Sequence, residues 1–150
     1  MLFGRQIRPV EYKGKAMDNV QEMLTEVLKQ VYREYKGMSE IERLTHELEE
    51  TLNRSDKKSA QMILEMRQKE MEGVSQAKRA VEELLYAMDS DLRSDTEKLL
   101  KGETSDERAE AEAVKISDIS RQMRNTLERT RRIDRVLNRR IAGKDSFYKD

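Results

Sequence analysis

Apolar residues recur at intervals of three and four along almost the whole chain, set in long polar and charged surroundings. From about residue 17 to 53 a heptad frame holds. Met17, Leu24, Val31, Met38 and Leu52 share one position, and Val20, Val27, Ile41 and Leu48 share the other. Glu34 and Thr45 interrupt the frame. Tyr35 is expected to take the seam where Glu34 does not, and Leu44, Leu48 and Leu52 continue it at spacing four. Such drift belongs to a bundle helix rather than to a strict zipper. Gly37 costs about 1 kcal/mol relative to Ala but does not end so long a pattern.

Asn53-Arg54-Ser55-Asp56 punctuates the chain, with Ser55 or Asp56 able to cap the helix that follows. A second helix is predicted over about 56–92. Its seam is Ala60, Ile63, Val74, Ala77, Val81, Leu84, Leu85 and Met88; Arg67 and Glu70 break it, and Met62, Met66 and Met71 lie along one flank. Residues 89–106 are irregular. Ser94 with Glu97 reads as a capping box, and Gly102 stands where a C-cap belongs, which predicts a short helix over Asp95–Lys101. Thr104 with Glu107 opens a last helix over about 105–142. Ile116, Met123, Thr130 and Leu137 share one position there; Ile119, Thr126, Ile133 and Arg140 share the other.

The three long spans are matched, each roughly 55 Å at about 1.5 Å per residue. A helix with an apolar stripe and charged flanks gains its stability by packing that stripe against another. The expected fold is therefore all-α: an elongated antiparallel bundle of three long, coiled-coil-like helices with a short helix in the second connection. Residues 1–16 form an N-terminal arm, 17–142 the helical bundle and 143–150 a C-terminal tail. The arm holds Gly4, Pro9 and Gly14 and a net charge of +3. The opening stretch, interrupted by Arg5, Arg8 and Pro9, lacks the apolar run of a secretory leader, and no window is apolar enough to span a membrane, so a cytoplasmic protein is expected.

Composition narrows the chemistry. The chain has no Cys, one His, one Pro and six Gly in 150 residues. Thiol chemistry, disulfides and multi-histidine metal sites are thereby excluded. His46 has Glu42 and Glu50 a turn away on either side, but Arg43 occupies the place where a carboxylate-bridged metal site needs Glu. No serine sits in a nucleophile elbow and the glycines never cluster into a phosphate loop. No enzyme, cofactor or metal site is expected. Charge is 30 basic against 30 acidic residues, so the net is zero, yet it is unevenly spread. Residues 121–144 carry nine bases against two acids, and 89–112 carry nine acids against four bases. The basic block suits phosphates in principle. It overlies the apolar seam of its own helix, however, and lacks interleaved aromatics, so pairing with acidic segments of this chain or of a partner is favoured. Nine methionines suit a groove able to accept a foreign amphipathic helix.

The tyrosine-bearing first helix (Tyr32, Tyr35), the stretch SDKKSAQMILEMRQKEMEGV at 55–74 and the ending RIDRVLNRRIAGKDSFY at 132–148 together resemble the flagellar export chaperones of the FlgN type. The chain length and the long-helix hairpin followed by a further helix also fit. The resemblance implies a cytoplasmic chaperone that holds hook–filament junction subunits and delivers them to the type III export apparatus. It places client contacts on the last helix, at Ile116, Ile119, Met123, Leu127, Ile133 and Leu137. Arg131 and Arg135, with Arg129, Arg132 and Arg139, are expected to favour acidic flanks on the client. The alternatives are a homo-oligomeric coiled-coil scaffold, a homodimer in its simplest form, and nucleic-acid binding through the arginine-rich last helix.

Overall fold

The computed structural model describes residues 11–12, 15–16, 20–104 and 110–142, with side chains over 20–104 and 110–140. Two short strands, β1 (Glu11–Tyr12) and β2 (Lys15–Ala16), pair antiparallel with Glu11 opposite Ala16. Beyond that small ladder the described chain is helical: α1 (Val20–Asn53), α2 (Lys57–Tyr86), α3 (Ser90–Leu100) and α4 (Ala111–Ala142).

The breaks between helices follow from capping chemistry. Asp56, not Ser55, is the N-cap of α2, its carboxylate accepting from the Ser59 amide at 3.1 Å. The expected helix over 56–92 divides in two. Asp89 accepts from the Leu92 amide at 2.9 Å and starts α3. Arg93 folds back to donate to the carbonyls of Leu85, Tyr86 and Met88, binding acceptors at the end of α2 and in the turn after it. The short helix thus begins five residues before the predicted Asp95, and Ser94 lies inside it rather than capping it. Gly102 follows as predicted, at φ 82°, with its own amide on Leu99 and the Glu103 amide on Lys98. Helix α4 begins at Ala111. Glu107 of the Thr104–Glu107 box, most of the arm, Met17 and the tail with Phe147 and Tyr148 lie outside the described residues.

The core falls into two clusters. In the first, Met23, Leu24, Val27 and Val31 of α1 meet Val81 and Leu84 of α2, Met88, Leu92 and Leu99 from the α3 region, and Ala113 and Ile116 of α4. In the second, Leu44 and Leu48 meet Ala60, Ile63 and Leu137. The start of α1 therefore meets the end of α2 and the start of α4, so α2 runs against α1 and α4 runs with it. Cross-links set the α1–α4 register: Gln21 with Glu112, Arg129 with Glu42, and Arg140 with Asn53.

Between the clusters, polar residues join the buried Ile41, Val74 and Ala77. Glu34, Thr45, Arg67, Ser120, Thr126 and Thr130 are all buried there. Glu34 keeps the seam position itself, at 6% exposure, while Tyr35 is half-buried, which reverses the expected substitution. Arg67, expected to break the seam, is instead buried in it and donates to Asp134 at 2.7 Å and Thr45 at 3.0 Å. Gly37 permits the close approach of α1 and α2: a Cβ there would stand 2.5 Å from Val74 Cγ2.

Candidate functional site

Helices α2 and α4 both pack on α1 but scarcely approach each other. The gap between them is an open groove of about 580 Å³. Val74, Lys78, Val81, Glu82 and Leu85 form the α2 wall, and Ser120, Met123, Arg124, Leu127 and Arg131 form the α4 wall. Glu34 and Met38 of α1 make the floor, and Leu100 of α3 adds to the lining. Each wall runs eleven residue steps, about 16 Å or three helical turns. Further along α2 and α4 the Arg67–Asp134 pair ties the two helices together.

The groove exists because of side-chain size and polarity. Near the start of α4, Ala113 and Ile116 reach the first core cluster; near its end Leu137 reaches the second. Between them α4 offers Ser117, Ser120, Thr126 and Thr130 to the interior. Hydroxyl side chains of that size fill the α1–α4 contact, while Met123 and Leu127 are left half-buried along the gap. Burial raises the pKa of the Glu34 carboxyl above its ordinary value, opposed only by the nearby Lys78 ammonium.

The expected contact residues divide sharply. Met123, Leu127 and Arg131 line the groove together. Ile116 and Leu137 are fully buried in the two core clusters and present no surface to a partner, a correction to the expected contact set. Ile119 and Ile133 pack half-buried against those clusters, and Arg135 is exposed one turn beyond Arg131. Reading α4 alone missed the α2 wall and the floor: Glu34, Met38, Val74, Lys78, Val81 and Leu85. Polar residues at seam positions were the available signal, since a frame that places Glu34 and Thr45 among valines marks a layer where close apolar packing stops.

The methionine set also divides. Met62, Met66 and Met71 are all exposed. Five residues separate Met66 from Met71, about 140° of helical turn, so they stand on different sides of α2. His46 is exposed, and Glu42 accepts a two-pronged contact from Arg129 at 2.8 and 3.2 Å, which lowers the Glu42 pKa. Among the described residues no three His, Cys, Asp or Glu gather as metal ligands, and no helix is long and apolar enough to cross a membrane. No family model, curated protein or solved structure matches the chain.

Proposed function

We propose that this chain is a non-enzymatic binding protein whose three long helices form an elongated antiparallel bundle, with room for a fourth helix from another protein. The observation that carries this reading is the α2–α4 groove. It is open along its length, apolar at Met38, Val74, Val81, Leu85, Leu100, Met123 and Leu127, and flanked by charge. A fourth amphipathic helix laid there would bury these side chains and its own apolar face, at about 25 cal/mol per Å² less the cost of ordering. The narrower reading, motivated by the FlgN-type resemblance, is a cytoplasmic export chaperone that shields the helical terminal segment of flagellar junction proteins. Methionine at positions 38 and 123 suits clients of varied shape.

The charge pattern favours a protein client over nucleic acid. Arg129 is engaged by Glu42, Arg140 by Asn53, Arg132 by Glu128, and Arg121 by Asp118 and the Gly102 carbonyl. Four of the nine bases in the block are thereby engaged within the molecule. Co-expression with the C-terminal segments of flagellar junction proteins from the same genome tests the reading. The chain is expected to co-purify with one of them as a complex of one copy each. The Met123→Glu, Leu127→Glu double substitution is expected to abolish capture while leaving the helical circular dichroism intact. Capture that survives the double substitution removes the groove from the reading. A concentration-independent dimer in light scattering assigns the chain to the scaffold alternative instead.

A further inference from the structure

Among the described residues, every buried hydroxyl but one has a hydrogen-bond partner. Thr45, Thr51, Thr96 and Thr130 each donate to a backbone carbonyl three or four residues back. Ser117 donates to the Glu103 carbonyl, and Thr126 accepts from Arg129. Ser120, only 4% exposed, has no hydrogen-bond partner among the described residues. Its position is the groove wall. On the floor of the same groove lies Glu34, 6% exposed, its carboxylate balanced by the Lys78 charge. A hydroxyl without a partner and a buried carboxylate thus both line a trough whose other side chains are mostly apolar.

The rim adds a second signature. Lys78 on one wall and Arg124 and Arg131 on the other face a single exposed carboxylate, Glu82. Arg135 and Arg139 continue the exposed cationic side of α4. An occupant covering this rim is drawn in and retained by acidic flanks. The chain's own N-terminal arm, with Arg5, Arg8, Lys13 and Lys15 against Glu11, carries the same sign as the rim and is a poor occupant.

We propose that the groove selects an acidic amphipathic helix of another protein that carries one carboxamide side chain, Asn or Gln, in the middle of its apolar face, and that Glu34 and Ser120 determine this preference. The inference rests on the helix-binding reading above and specifies its partner. A carboxamide donates through its NH₂ group to the Glu34 carboxylate and accepts the Ser120 hydroxyl proton through its carbonyl. A wholly apolar face would cover both groups dry and leave them unpaired. A carboxylate at that place would repel Glu34, and a cation would displace Lys78 from it.

The test uses the full chain and three dye-labelled synthetic helices of about 18 residues. Two have acidic flanks and a leucine-rich face, one with Gln and one with Leu at its centre. The third has the Gln centre and lysine flanks. Fluorescence anisotropy at about 100 mM salt gives the affinities. The acidic Gln peptide is expected to bind about tenfold more tightly than the acidic Leu peptide, and more tightly than the lysine-flanked one. Ser120→Ala combined with Glu34→Leu is expected to erase the Gln preference while the Leu peptide still binds. Equal or tighter binding of the Leu peptide to the unmodified chain, or of the lysine-flanked peptide, overturns the proposal and leaves the groove reading standing. Failure of all three peptides to bind overturns the groove reading with it.

Discussion

Ser55 holds a left-handed backbone conformation, φ 59°, that side chains bearing a Cβ disfavour. It does so because the end of α1 closes with the Ser55 amide on Leu52 and the Asp56 amide on Thr51, a pattern that usually places glycine there. Ser55→Gly is expected to stabilise the fold by about 0.5–1 kcal/mol, after the entropy of the freer unfolded chain is subtracted, read as a higher urea midpoint at unchanged slope. Glu34 is the opposite case, a residue whose chemistry opposes its place. Burial holds its carboxyl above the ordinary 4.5, so the folded chain binds that proton more tightly than the unfolded one. The resulting stabilisation is complete below pH 4.5 and is lost as pH rises through the raised folded value. Glu34→Gln is therefore expected to be the more stable protein at about pH 7, with the difference closing by about pH 4, measured by denaturation at both. The heptad frame located position 34, but the preference for an apolar neighbour pointed to Tyr35. Periodicity reports which positions face inward, and backbone geometry leaves an inward position inward whatever side chain stands on it.

At the scale of elements, boundaries depended on which polar residue wins a competition for backbone groups. The apolar run through Met88 and Leu92 suggested one helix to residue 92, and Ser94-x-x-Glu97 offered a start beyond it. Asp89 prevails because Arg93, four residues on, reaches the carbonyls at the end of α2 and makes the turn self-satisfying at both ends. That reciprocal arrangement needs the fold of the turn and cannot be read from spacing alone. Arg67 teaches the same lesson between elements. Its side chain, 7% exposed, connects α2 to Asp134 of α4 and Thr45 of α1. Arg67→Ala is expected to cost about 3 kcal/mol in thermal or chemical unfolding, because it leaves the half-buried Asp134 carboxylate without this partner. The loss is expected to be smaller in the Arg67→Met, Asp134→Leu double variant, where neither charge remains.

At the scale of the whole molecule, the two kinds of apolar residue on α4 part company. Ile116 is fully buried between α1 and α4, whereas Leu127 is half-buried on the groove wall. Ile116→Ala is expected to destabilise the protein by about 3 kcal/mol, and Leu127→Ala by about 1 kcal/mol or less. Client binding by the folded protein is expected to show the reverse order. Equilibrium unfolding and a peptide titration on the same two variants check both halves. The amino-acid order alone determined that this chain is built of long amphipathic helices, because the three-to-four-residue recurrence of apolar side chains is a local property of one helix surface. It also marked a layer of polar residues within the seam. Only the tertiary structure decided that Ile116 and Leu137 are consumed in the core while Met123 and Leu127 border a gap. That outcome depends on how closely α2 and α4 come together, and their separation is set by the summed sizes of side chains from three different helices.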